Sequence, residues 1–104
     1  MSTFSTHVLD AVLGRPAAGV DVVLTGPDGS TTTGRTDDDG RWRPDGELPA
    51  GDSTLRFATG AWFAAQQRET FHPEVTVAFT ATPGEHHHVA LLLSPFAYTT
   101  YRGS

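Results

Sequence analysis

Apolar and polar residues alternate with a period of two in "VDVVLT", "TLRFAT" and "VTVAFTA". Successive side chains of an extended strand point to opposite faces, so this period marks strands with one buried face and one wet face. In the first stretch Val20, Val22 and Leu24 oppose Asp21 and Thr25. In the second, Leu55 and Phe57 oppose Arg56 and Ala58. In the third, Val75, Val77, Phe79 and Ala81 oppose Thr76 and Thr80. Turn signals lie between them: "GRPAAG", "GPDGS", "DDDGR", "PDGELPAGD" and "TPGE". Glycine supplies positive φ there and aspartate bonds its own backbone. Short strands at short spacing predict an all-β sandwich of antiparallel sheets. A length of 104 residues suits one domain over 1–104 and leaves no room for a second core.

"TGAWFAAQQRE" breaks the alternation. It predicts one short helix at about 61–68, capped near Thr59 and ended by "HPE", since the residue before a proline avoids helical geometry. "STTTG" reads as a polar loop or an edge strand. Trp42, Trp62 and Phe63 read as packing residues.

Acids outnumber bases 12 to 7, a formal charge of −5, which excludes the basic face a nucleic-acid binder needs. No apolar run is long enough to cross a bilayer, so no membrane partner is expected. Without cysteine there is no disulfide and no thiolate site. "MSTFSTHVLD" lacks a basic segment followed by an apolar one, and the expected compartment is the cytoplasm.

The chemistry-bearing residues gather near the two ends of the sequence. In "HHHVALLLS", His86, His88, Ala90, Leu92 and Ser94 share one face of a strand, and His87, Val89, Leu91 and Leu93 form a core face. Small and apolar residues mixed with histidines suggest a surface that meets another subunit. In "STHVLDAV", Val8 and Val12 read as core and His7 faces the other way. If the first and pre-terminal strands share a sheet, His7, His86 and His88 share a face. His72 and His87 read as solvated loop residues. His-x-His with a third, distant histidine is a weak zinc pattern, and imidazoles without metal act as acid and base near neutral pH. "TDDDGR" at 36–41 lacks the spacing of a calcium loop and reads as a tight turn. Arg41 follows it, either a cation aimed along the sheet or a plain surface arginine. No Gly-x-Ser-x-Gly elbow marks a nucleophilic serine. The final "YTTYRGS" puts aromatics and a guanidinium where chains are usually frayed and polar.

Taken together, "STHVLDAVLGRPAAGVDVVL", "GRTDDDGR", "FATGAWF", "FHPEVTVAF" and "HHHVALLLSPFAYTTYRGS" resemble the transthyretin-related 5-hydroxyisourate hydrolases of urate breakdown, from about Ser5 to Ser104. The terminal "YRGS", paired with His7 and the His-x-His strand, is the most specific part. The resemblance implies a transthyretin-like sandwich of two antiparallel four-stranded sheets with one short helix. It implies a homotetramer, a dimer of dimers, with active sites where dimers meet and the tail strand folded against the neighbouring dimer. It also implies metal-free and cofactor-free opening of the 5-hydroxyisourate ring at N1–C6, giving 2-oxo-4-hydroxy-4-carboxy-5-ureidoimidazoline, with histidine as general base. His7, Arg41 and His88 match the catalytic set; Tyr101, Arg102, Gly103, Ser104 and His86 match substrate contacts. His87 and Ala90 stand where the family commonly has tyrosine and proline, and Trp62 stands where it usually has tyrosine. The competing readings are a transthyretin-like carrier of a small ligand and a bracing module.

Overall fold

The computed structural model describes residues 2–104. In chain order its elements are β1 (Thr3–Asp10), β2 (Arg15–Pro16), β3 (Asp21–Thr25), β4 (Thr31–Arg35), β5 (Arg41–Trp42), β6 (Gly51–Phe57), α1 (Thr59–Ala64), β7 (Val75–Ala81), β8 (His86–Leu93) and β9 (Tyr98–Gly103). They form two sheets. One runs β4-β3-β6-β7; the other runs β2-β1-β8-β9, with β5 also paired to β1. The sandwich is as expected, with two refinements. The second sheet gains a fifth short strand, and its central pair, β1 with β8, is parallel. Alternation reveals which face of a strand is buried but not which strand lies beside it or in which direction. The intervening chain supplies the long crossover a parallel pair needs.

The inner faces are those the alternation marks. Val22, Leu24, Leu55, Phe57 and Val75 from one sheet meet Phe4, Val8, Val89, Leu91 and Leu93 from the other, with Phe63 of α1 closing the end. Each such side chain contributes about 1.5–3 kcal/mol through burial. Trp42 packs at the edge, where its indole lies against Gly34; a Cβ on Gly34 would overlap the ring. β4 is the exposed edge strand anticipated for "STTTG".

Three local expectations are corrected. The helix begins at Thr59 and ends at Ala64, earlier and shorter than 61–68. Its N-cap is Ala58, with no side-chain cap, and Thr59 is buried in the first turn. Gln67 takes a φ of 55°, and the Arg68 amide bonds the Phe63 carbonyl at 3.0 Å, a left-handed C-terminal closure that stops the helix. Val12 is 61% exposed, because β1 ends at Asp10, whose Oδ1 accepts the Val12 and Leu13 amides at 3.0 Å and turns the chain out of the sheet. His87 is no loop residue: it is 4% exposed, its Nε2 accepts the Thr82 amide at 2.9 Å, and its Nδ1 donates to the Thr3 carbonyl at 3.3 Å. The strand starts at His86, so alternation carries residue 87 to the core side. His72 is half-buried, its ring between the edges of Phe71 and Tyr98. Among the described residues no helix is long and apolar enough to cross a membrane.

Candidate active site

With Phe4, Thr6 and Val8 turned into the core, Thr3, Ser5 and His7 point out of β1. The same logic sends His86, His88 and Ala90 out of β8. Register then decides the neighbours. His7 lies opposite Arg41 of β5 on one side and Ala90 of β8 on the other, and Ala90 lies opposite Tyr101 of β9. The next row is Ser5, His88 and Gly103; the one after it is Thr3 and His86. Directly opposed residues hold their Cβ atoms about 4.5–5.5 Å apart, so four separate segments converge on one outer face.

The 36–41 segment is the tight turn expected. The Asp37 carbonyl accepts the Gly40 amide at 2.9 Å, Asp37 Oδ1 accepts the Asp39 and Arg41 amides at 2.9 and 3.0 Å, and Gly40 has a φ of 74°. The Val8 amide bonds the Gly40 carbonyl at 2.8 Å, which docks the turn on β1 and delivers Arg41 beside His7.

These rows enclose an open pocket of about 450 Å³, bordered by His7, Arg41, His88 and the tail Tyr101–Ser104, with Leu9, Ala90 and Leu92 as its apolar floor. Ala90, with only a methyl, leaves space between His7 and Tyr101. Gly103 is required by contact: a Cβ there would overlap the His88 ring. Arg102 bonds Glu85 at 3.2 Å and the His86 carbonyl at 3.4 Å. Arg41 has no ion-pair partner among the described residues, and neither ring nitrogen of His7 has a hydrogen-bond partner there. Burial, then the nearby charges of Arg41, His7 and His86, pull the His88 imidazole below its ordinary pKa. Its neutral form is favoured, with Nδ1 bonded to Ser5 Oγ at 2.7 Å and Nε2 unpartnered among the described residues. An unpaired guanidinium beside a neutral imidazole suits a developing oxyanion and a water to be deprotonated.

The expected site residues therefore meet in one pocket, with one exception. His86 lies on the same face but outside the pocket lining, both ring nitrogens bonded to hydroxyls, Nδ1 to Thr3 at 2.6 Å and Nε2 to Ser5 at 2.8 Å. Among the described residues no group of three or more His, Cys, Asp or Glu side chains is arranged to hold a metal ion. Ser5, Leu9 and Leu92 were missed; Ser5 and Leu9 lie two residues either side of His7, on its face, which was the available signal.

The fold and this pocket define a transthyretin-like sandwich with a polar cavity on the outer face of one sheet. Residues 4–103 match the HIUase/Transthyretin family, and the chain belongs to it. It is 44% identical over 108 residues to the 5-hydroxyisourate hydrolase of Salmonella typhimurium, covering 96% of this chain and 79% of that protein. The structure of Klebsiella pneumoniae 5-hydroxyisourate hydrolase superposes with a TM-score of 0.91 at 40% identity, covering all of both chains. Sea bream transthyretin in complex with thyroxine superposes with a TM-score of 0.86 at 36% identity, covering 96% of this chain and 93% of that one.

Proposed function

We propose that this protein is a 5-hydroxyisourate hydrolase that opens the ring at N1–C6 to give 2-oxo-4-hydroxy-4-carboxy-5-ureidoimidazoline, without metal or cofactor, in cytoplasmic urate breakdown. One observation carries the reading: His7, Arg41, His88 and Tyr101–Ser104, from four segments of the chain, border the same pocket. Relatives bearing the hydrolase name support it.

In the proposed reaction, neutral His88 takes a proton through Nε2 from a water molecule as that water attacks the ring carbonyl. The charge developing on the carbonyl oxygen is offset by Arg41. His7, entering the step as an imidazolium, hands a proton to the departing nitrogen and is reprotonated from solvent before the next turnover, and the tail holds the ring against the floor of Leu9, Ala90 and Leu92. One positioned base contributes about 10²–10⁴-fold, enough for an already electrophilic carbonyl. A carrier of thyroxine-like ligands has no use for an unpaired arginine among imidazoles.

The working unit in this reading is a homotetramer with sites where dimers meet. The pocket is open, Tyr101 at its border is 53% exposed, and Phe96 and Tyr98, in the β8–β9 loop and at the start of β9, are 66% and 40% exposed, apolar surface that a second copy would cover. A sizing column should return a tetramer.

The decisive assay generates 5-hydroxyisourate from urate with urate oxidase and follows its absorbance. The protein should accelerate the decay, equally after treatment with a chelator, and removal of Tyr101–Ser104 should abolish the acceleration. Unchanged decay with intact protein would overturn the hydrolase reading; loss of activity to the chelator would overturn the metal-free one.

A further inference from the structure

The histidines of β8 are strung on hydroxyls of β1. Thr3 Oγ1 lies 2.6 Å from His86 Nδ1, Ser5 Oγ lies 2.8 Å from His86 Nε2, and the same Ser5 Oγ lies 2.7 Å from His88 Nδ1. The parallel register produces this ladder, setting Thr3 beside His86 and Ser5 beside His88. Its outer end, Thr3 and His86, is exposed; its inner end is the pocket imidazole. A hydroxyl donates one hydrogen bond, and a neutral imidazole donates through one nitrogen and accepts through the other. The hydroxyl also accepts up to two, so the chain either runs in one direction throughout or has both rings donating to Ser5; only the first arrangement can pass a proton along it.

We propose that Ser5 is a positioning residue which, together with His86, fixes the tautomer of His88 and relays a proton between the pocket and solvent at Thr3. The proposal rests on the hydrolase reading for its chemistry, though not for its tautomer. In the resting polarity His88 Nδ1–H donates to Ser5, Ser5 O–H donates to His86 Nε2, and His86 Nδ1–H donates to Thr3. That leaves the lone pair of His88 Nε2 facing the substrate.

When Nε2 takes a proton from water, the Nδ1 proton passes to Ser5 Oγ and the Ser5 proton passes to His86 Nε2. The His86 Nδ1 proton then passes to Thr3, whose own proton leaves to bulk water. One proton enters and one leaves; every group stays neutral, and the chain ends in the opposite polarity. It resets after product release, as one proton enters at Thr3 and one leaves Nε2. The charged and titratable groups acting on His88 are His7 from β1, Arg41 from β5 and His86 from β8; Tyr101 and Arg102 of β9 border the same pocket, Arg102 with its guanidinium on Glu85. Arg41 is cationic and has no ion-pair partner among the described residues, so a route that avoids imidazolium at His88 has a physical purpose.

The test compares wild type with Ser5→Ala and Ser5→Thr. Ser5→Ala should lower kcat on the order of 10²-fold, as misaligned catalytic groups do. KM should stay near its wild-type value, and the solvent deuterium isotope effect on kcat should change. Ser5→Thr, which keeps the hydroxyl, should recover most of the rate. Ring ¹⁵N NMR reads the tautomer independently of activity: His88 should carry its proton on Nδ1 in wild type and on Nε2 in Ser5→Ala. Wild-type kcat in Ser5→Ala, or an Nε2–H tautomer in both proteins, overturns the proposal. An inactive wild type with the tautomer exchange intact refutes the hydrolase reading and supports the positioning role of Ser5.

Discussion

Strand β1 carries a polar cluster on each of its faces, and the two differ in one respect. On the inner side Asp10 is 1% exposed and fully partnered: Oδ2 takes Arg68 Nη1 at 2.8 Å, and Oδ1 takes two backbone amides. Arg68 in turn lies over the Phe63 ring, 4.8 Å from its centroid. On the outer side His7 and Arg41 stand side by side with no ion pair, and His88 keeps one nitrogen free among the described residues. A pocket of about 460 Å³ borders Asp10, and one of about 450 Å³ borders His7. Size does not separate them. A buried charge that has found its counter-charge braces the fold, whereas an exposed one beside a cavity, with no ion pair among the described residues, is available to a substrate.

That contrast can be broken at either end. The largest effect is expected from His88→Ala, which should lower kcat by about 10²–10⁴-fold with an unchanged circular dichroism spectrum and melting curve. A variant within a few-fold of wild type would remove His88 from the catalytic set. Arg68→Ala should do the reverse. It leaves the Asp10 carboxylate buried without its cation and should cost about 3–5 kcal/mol of stability by urea titration, with kcat of the folded protein little changed.

The Arg68 deficit has a pH signature. Burial pushes the Asp10 carboxyl up, but the Arg68 hydrogen bond, the Leu13 and Val12 amides and the Arg68 charge outweigh it and hold the carboxyl below its ordinary value. A lowered carboxyl stabilises the fold above the pKa of the unfolded chain and loses that contribution as pH falls through the folded value. The stability gap between wild type and Arg68→Ala should therefore narrow in acid.

Gly103→Ala sharpens the outer half of the comparison. Its Cβ would force the His88 ring aside, and kcat should fall on the order of 10²-fold while the melting temperature barely moves. Arg41→Gln should lower kcat by about 10²–10³-fold through loss of the oxyanion's partner, and the smallest effect is the accompanying shift of the acid limb of its kcat/KM profile. His88 stays neutral to lower pH than an ordinary imidazole, chiefly through burial and secondly through Arg41. Removing that charge should shift the limb to higher pH by less than its whole displacement, because burial remains.

Much of this molecule is visible in its residues one at a time. The period of two in Val20–Leu24, Leu55–Phe57 and Val75–Ala81 identifies buried faces because a pleated strand leaves a side chain no other choice. "TDDDGR" identifies a turn because Asp37 and Gly40 carry its bonds and its positive φ within six consecutive residues. The terminal "YRGS" and His7 mark a site through likeness to a family. Val12, His87 and the helix bounds were misread for a shared reason. Each depends on where an element stops, and that is decided by hydrogen bonds that side-chain pattern does not show: Asp10 to the Val12 and Leu13 amides, His87 to Thr82 and, across the sheet, to Thr3, and the Arg68 amide to Phe63 past Gln67.

The chain alone thus determined which side chains turn inward, where it reverses direction, and which residues are equipped for proton transfer, since these follow from local stereochemistry and side-chain type. Only the tertiary structure decided that β1 lies parallel to β8, that Arg41 falls beside His7, that Ser5 falls between two imidazoles, and that Gly103 lies against the His88 ring. Those are matters of register between strands far apart in sequence, and register is set by how two sheets close over a common core.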